Sequence, residues 1–191
     1  MLDQEIWERL QRGAQVILPK DSALIAGLSG VSPGDKVAEA GSGSGWFTVF
    51  IANALGEHGK VYSYDVREEF QKIAKRNTER AGMDKRVQFV LCDVTQDVQA
   101  KDLALFLLDM PDAQKALKNV HAALKKGGFA VGYLPNVEQA RDFVEEGENV
   151  GFELFKTVDG RVEDWLVRKN GSRPATQGVL HTAFLVFLRK K

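Results

Sequence analysis

From Lys36 onward, apolar runs of strand length alternate with stretches whose apolar residues recur at helical spacing. That alternation is the pattern of a parallel sheet covered by helices on both faces. The strand candidates are KVAEA, KVYSYD, RVQFVLCD, LALFLLD and GFAVGYL. Between them, Trp46 to Leu55, Arg67 to Ala81 and Ala113 to Leu124 read as crossover helices, the second ending at Gly82 as a left-handed cap. After Asn136 the spacing gives one more helix, reaching to about Glu148. Then come GFELFKTV and VLHTAFLVFLRK, two β-rich runs separated by a polar loop with Gly171, Arg173 and Pro174, which predicts a closing hairpin. The expected fold class is therefore α/β, a doubly wound sheet that is mostly parallel with an antiparallel C-terminal hairpin strand.

The pattern changes before Lys36. A short amphipathic helix near Asp3 to Leu10 and an extended QVILP precede a helix for which Asp21 or Ser22 is the expected N-cap. Residues 1–35 thus read as a helical lid or flank on the sheet. The 191 residues fit one core and contain no linker-like stretch, so residues 1–191 are expected to form a single domain.

Composition narrows the class of partner. With 44% hydrophobic and 27% charged residues the chain is of ordinary globular composition. Lys plus Arg equals Asp plus Glu at 26 each, so no global positive field advertises a nucleic acid, and any RNA contact must use a local patch. The longest apolar runs, such as Phe184 to Leu188, are too short to cross a bilayer. MLDQEIWERL carries acids where a signal peptide carries an apolar segment, so no membrane association and a cytoplasmic location are expected. The lone Cys92 excludes an intramolecular disulfide and a cysteine cluster for zinc, and its apolar setting in VQFVLC suggests a buried thiol without a role. No metal site is expected.

Four successive strand candidates end in or near an acid: Glu39, Asp65, Asp93 and Asp109. In a doubly wound sheet, ligands sit in the crevice beyond the carboxyl ends of the strands, so these acids should converge on one ligand. A single strand-end carboxylate is usually a helix cap or a solvated loop residue, but that reading explains one position better than four in series. The first strand is followed by EAGSGSGWF, in which Gly41, Gly43 and Gly45 let the backbone turn tightly and approach a ligand. Trp46 stands where a dinucleotide fingerprint needs its third glycine, and the loop has no lysine for a phosphate-binding P-loop. An acid followed by Gly-x-Gly-x-Gly instead resembles the first motif of class I S-adenosylmethionine methyltransferases, whose sheet is Rossmann-like. The resemblance implies S-adenosyl-L-methionine as cofactor, held around Gly41, Ser42, Gly43, Ser44 and Gly45. Asp65, about 20 residues beyond the loop, is then expected at the ribose hydroxyls. Asp93 is expected at the adenine amino group, and Glu39 at the loop or the cofactor's amino-acid part.

Beyond this motif, RGAQVILPKDSALI, VYSYDVREEF, LLDMPDA and VLHTAFLVF together resemble the tRNA adenine-N1 methyltransferase family that acts on the T-loop adenosine. QVILPKD before the first strand and LLDMP at the fourth are the most specific parts, supported by HTAF near the C-terminus. By that resemblance Gln15 and Ile17 flank the cofactor and Asp109 is the catalytic residue. It also implies tRNA as partner and a homo-oligomer, a tetramer. The chain departs from the family pattern in beginning only a few residues before the lid segment, without the usual small N-terminal domain. It departs again at Ala113 and at Ala183 before Phe184, where the family favours a proline or aromatic residue and a Gly-aromatic pair.

The reaction expected from this resemblance is methyl transfer to N1 of an adenosine in tRNA. Asp109 would accept a hydrogen bond from the exocyclic amino group and balance the charge that develops on the ring, unless it only caps the next helix, a task for which Asp112 is available. Candidate RNA contacts are Arg9, Arg12, Lys20, Arg168, Lys169 and Arg173, against the plainer reading that they are solvated surface. Trp165 could stack a base; Tyr64 and Tyr133 read rather as sheet packing. His181 reads as a hydrogen-bonded strand residue rather than a general base. Two other functions stay open: a methyltransferase for a small molecule such as a corrinoid precursor, and a non-catalytic RNA-binding subunit.

Overall fold

The computed structural model describes residues 5–13, 15–175 and 181–191. A short helix α1 (Ile6–Arg9) and α2 (Pro19–Ser29) precede β1 (Lys36–Ala40), α3 (Trp46–Leu55), β2 (Lys60–Asp65), α4 (Glu68–Arg80) and β3 (Val87–Leu91). They are followed by β4 (Leu103–Leu108), α5 (Leu117–Ala123), β5 (Leu124–Leu134), α6 (Val137–Asn149) and β6 (Phe152–Asp159). The chain ends with β7 (Trp165–Leu166), β8 (Arg173–Pro174) and β9 (Phe184–Lys190). Seven strands form one sheet in the order β3-β2-β1-β4-β5-β9-β6. β1 pairs in parallel with both β2 and β4, whereas β9 is antiparallel to both β5 and β6.

Period-two alternation along the strands builds two cores. Ala38, Phe106, Leu108, Ala130, Val186 and Leu188 pack with Leu117, Val120 and Phe143 of α5 and α6 on one face. Val37, Leu105, Leu107, Val131, Leu185 and Phe187 pack with Ile25 of α2 and Phe47 and Ile51 of α3 on the other. Removing each such large side chain from water contributes about 1.5–3 kcal/mol, and this two-sided burial is why the central strands read as unbroken apolar runs. A third cluster joins Ile6, Leu10 and Val16 to Trp46 and Val49, and so seats the N-terminal segment against α3.

Several expected boundaries move. α2 begins at Pro19, ahead of Asp21 and Ser22, because proline at the first helical position supplies the helical φ and needs no N–H partner. Asp21 is turned inward instead. Of the helix expected near Asp3 to Leu10, Ile6–Arg9 is helical and residues 1–4 lie outside the described residues. The helix expected over Ala113 to Leu124 divides into a 3₁₀ turn at Ala113–Ala116 and α5, and Leu124 already opens β5. Asp112 sits at the start of that turn with φ 53° and makes no side-chain cap bond; its carboxylate pairs with Lys115 at 2.7 Å. The closing strands β6 and β9 pair antiparallel as expected, with β9 lying between β5 and β6 and β6 at the sheet edge. The polar loop between them carries the β7–β8 ribbon. Cys92 is half-buried rather than buried, because it follows β3, the other edge strand.

Candidate functional site

The chain leaves β1 toward β2 and β3, then returns to the opposite side of β1 as β4, so the carboxyl ends of β1 and β4 form the topological switch point of the sheet. The loop after β1 is laced to its neighbours there. Gly41 N–H donates to the Asp109 carbonyl at 3.1 Å, and Ser42 N–H donates to the Tyr64 carbonyl at 2.9 Å. Glycine is required at Gly45, where φ is +74° and a Cβ would lie 2.9 Å from Ala74 Cα; a Cβ on Gly41 would lie 2.9 Å from Asp65 Oδ2 and push that carboxylate aside. Gly43 also has positive φ, but its missing Cβ faces open space.

Two compartments meet at this loop. A cavity of about 300 Å³ is lined by Tyr64, Asp65, Val66, Arg67, Asp93, Met110 and Pro111 together with Gly41 and Asp109. A narrower cleft is lined by Gln15, Val16, Ile17, Glu39, Ser42, Gly43, Ser44, Gly45 and Trp46, again with Gly41 and Asp109. Every site residue expected from the sequence therefore borders one compartment or the other. Gly41 and Asp109 border both. Val66, Arg67 and Met110, which follow strand-end acids and line the larger cavity, were given no role by the sequence; their only signal was their place in the chain.

The carboxylates differ in environment. Glu39 is 2% exposed and accepts a short hydrogen bond from Thr48 Oγ1; burial raises its pKa to about 8, with Asp109 and Asp65 adding repulsion. Burial likewise lifts Asp109 to about 6. Asp65 is held as an acceptor, by Gly43 N–H at 3.2 Å and by Arg67 N–H at 2.9 Å. Asp93, which lines the larger cavity, accepts from Thr95 N–H at 2.8 Å, a local turn bond.

Among the candidate RNA contacts, Lys20 is withdrawn. Its Nζ lies 2.7 Å from Asp21 Oδ1, 2.7 Å from the Gly160 carbonyl and 2.9 Å from Thr182 Oγ1, so all three ammonium protons are used internally. Tyr133 joins this knot, its hydroxyl 3.3 Å from Asp21 Oδ2, and burial beside Asp21 pushes its ionisation well up. Arg9 pairs with Glu5 at 2.9 Å, and Arg12 lies over the Trp46 ring at 4.4 Å. Arg168, Lys169 and Arg173 border an open groove beside the β7–β8 ribbon, where Trp165 is 57% exposed. Tyr64 is packed, stacked on Phe106, as expected. His181 precedes β9 instead of lying in it, with Nδ1 3.2 Å from Asp159 and Nε2 3.4 Å from the Pro135 carbonyl.

The chain is similar to known proteins over nearly its whole length. Residues 2–179 match the family described as tRNA methyltransferase complex GCD14 subunit. The tRNA (adenine(57)-N(1)/adenine(58)-N(1))-methyltransferase TrmI of Methanocaldococcus jannaschii is 32% identical over 214 residues, covering 97% of this chain and 75% of that protein. The crystal structure of tRNA (m1A58) methyltransferase TrmI from Aquifex aeolicus superposes with a TM-score of 0.89 at 30% identity, over 98% of this chain and 75% of that one. A SAM-dependent O-methyltransferase from Thermotoga maritima superposes with a TM-score of 0.91 at 30% identity, over 97% of this chain and 69% of that one.

Proposed function

Because the chain belongs to the tRNA methyltransferase complex GCD14 subunit family, we propose that it transfers a methyl group from S-adenosylmethionine to N1 of an adenosine in tRNA. The observation that carries this reading is the position of Asp109, which borders both compartments of the crevice at the switch point.

The residues present suit the cofactor. The larger compartment presents Asp65 for ribose hydroxyls and Asp93 for an adenine amino group; the smaller one, lined by Gln15, Ile17, Glu39 and the loop from Gly41 to Gly45, receives the amino-acid end. Gly45 has no room for a Cβ against the α4 backbone, so the loop packs closely on α4 there. When bound, S-adenosylmethionine supplies an already activated methyl group, so the chemistry left to the protein is placement and charge. Orientation alone contributes up to roughly 7–11 kcal/mol in well-aligned systems. Ionised Asp109 accepts a hydrogen bond from the exocyclic amino group of the target adenine and offsets the positive charge of the alkylated ring. The target base leaves its stack to reach the crevice, at a cost of a few kcal/mol.

RNA contact and assembly belong to the same reading. Arg168, Lys169 and Arg173 with Trp165 supply cations and one aromatic face beside the crevice-bearing domain. Self-association into a homo-oligomer, a tetramer, would use the unpaired edge of β6, where Leu154 and Phe155 are exposed. Among the described residues no helix is long and apolar enough to cross a membrane. A cytoplasmic site of action belongs to the proposed reading because tRNA is its substrate.

The test is incubation of the chain with unmodified tRNA and isotopically labelled S-adenosylmethionine, followed by nucleoside analysis. Label in N1-methyladenosine is expected. Cofactor binding without transfer to tRNA points to a small-molecule acceptor such as a corrinoid precursor, or to an oxygen acceptor. RNA binding without cofactor binding points to a non-catalytic subunit.

A further inference from the structure

Asn77 is fully buried in the third turn of α4, yet it makes no hydrogen bond to a residue of its own helix through its side chain. Its amide is spent on two distant backbones. Nδ2 donates to the Gln11 carbonyl at 2.8 Å and to the Ser44 carbonyl at 2.8 Å, while Oδ1 accepts from Gln11 N–H at 3.0 Å. A second tie runs beside it, from Gly13 N–H to Ser44 Oγ at 2.8 Å. The N-terminal segment is thus bonded across the glycine loop, with Asn77 as the shared anchor.

The same face of α4 shapes both partners. A Cβ on Gly13 would lie 2.5 Å from Ile73 Cδ1, and one on Gly45 would lie 2.9 Å from Ala74 Cα. Gly45 therefore lets the loop settle on the α4 backbone where Asn77 reaches it, and Gly13 lies against the Ile73 side chain of the same helix. Gln15 and Ile17, just beyond Gly13, line the smaller compartment opposite the loop. No residue of α4 borders either compartment. Gln11 and Ser44 are thus tied to one amide that lies outside both compartments.

From this we infer that Asn77 is a positioning residue, which straps the N-terminal segment to the glycine loop and sets the compartment that receives the cofactor's amino-acid end. The inference rests on S-adenosylmethionine occupying the crevice. A buried amide that loses its partners leaves Gln11 and Ser44 backbone groups unpaired, and the strap then opens rather than keep them so. Substitution should act on binding, with the chemistry at Asp109 left largely as it is.

The experiment compares the full chain with Asn77→Ala and with Gln11→Pro. The second variant removes one donor of the strap without touching α4, and Leu10 already has the extended backbone that a following proline demands. In Asn77→Ala, amide hydrogen exchange at Gln11 and Gly13 should speed up, and the Kd and KM for S-adenosylmethionine should rise about tenfold while kcat stays within about twofold. Gln11→Pro should weaken binding in the same direction. A purely structural role predicts the opposite split, a reduced active fraction with KM unchanged. Unchanged Kd and unchanged exchange in folded Asn77→Ala overturn the inference; should that variant not fold, unchanged Kd in Gln11→Pro overturns it. A parent chain that binds no S-adenosylmethionine overturns the cofactor reading itself, and this inference with it.

Discussion

The Asp65 carboxylate accepts a hydrogen bond from Gly43 N–H at 3.2 Å, so the acid at the end of β2 holds the loop that leaves β1. Its other oxygen accepts from Arg67 N–H at 2.9 Å. Asp65 therefore has two tasks, to fix the loop and to face the larger compartment. Asp65→Ala should cost on the order of 1–3 kcal/mol in S-adenosylmethionine binding, about a tenfold rise in Kd or more by calorimetry. An unchanged Kd would remove Asp65 from the cofactor site.

Asp109 is separable from that function because the residue borders both compartments while its backbone carbonyl anchors Gly41. Asp109→Ala retains the carbonyl. Cofactor affinity should stay within a few-fold, and methyl transfer to tRNA should fall ~100-fold or more, the scale seen when one positioned electrostatic group is removed. Equal loss of affinity in the Asp65 and Asp109 variants would make Asp109 part of the cofactor pocket instead.

The pH profile follows from the same residue. Burial lifts Asp109 to about 6, so the ionised acceptor is depleted below that pH. The expected kcat/KM rises with pH up to about 6 and then levels, whereas the residual rate of Asp109→Asn lacks that limb. A parent profile flat from pH 5 to 8 contradicts the role given to the carboxylate.

Glu39 should shape stability in the opposite direction. Its folded-state value of about 8 lies above the ordinary 4.5, so the fold prefers the proton; this contribution is complete below about 4.5 and is lost as pH rises through about 8. Urea denaturation at pH 6 and pH 9 should show the parent losing more stability than Glu39→Gln, which cannot ionise. Equal losses in both proteins would place the titrating group elsewhere.

Gly45 and Gly43 offer a paired test of the loop. Both have positive φ, but only at Gly45 does an added Cβ meet protein, the α4 backbone at Ala74. Gly45→Ala should lower Tm more than Gly43→Ala, since steric conflict adds about 1–3 kcal/mol to the backbone penalty. Thermal unfolding of the two variants without ligand decides it.

The legible parts of this protein were those with a local signature. KVAEA and KVYSYD became β1 and β2 as read, and LALFLL became β4, apolar throughout because it is a parallel strand buried on both faces. The acids Glu39, Asp65, Asp93 and Asp109 and the glycines between Gly41 and Gly45 could be found together because a doubly wound sheet sends successive strand ends to one edge. Gly82 announced the end of α4 through the left-handed backbone it adopts, φ +67°. What the tertiary structure decided are pairings between segments far apart in the chain. Lys20 resembles a surface cation until Gly160 and Thr182 arrive around it, and Asp21 resembles a helix cap until Tyr133 and Lys20 claim its carboxylate. β9 could be read as a strand, but its insertion between β5 and β6 depends on which edges are free once the sheet has assembled. Asn77 carried no motif at all. Its bonds to Gln11, 66 residues away, and to Ser44, 33 residues away, arise only when α4 packs beneath the loop. Periodicity and turn chemistry act over a few residues and leave their mark in the sequence, whereas the partner of a buried polar group is chosen by packing, which no local pattern encodes.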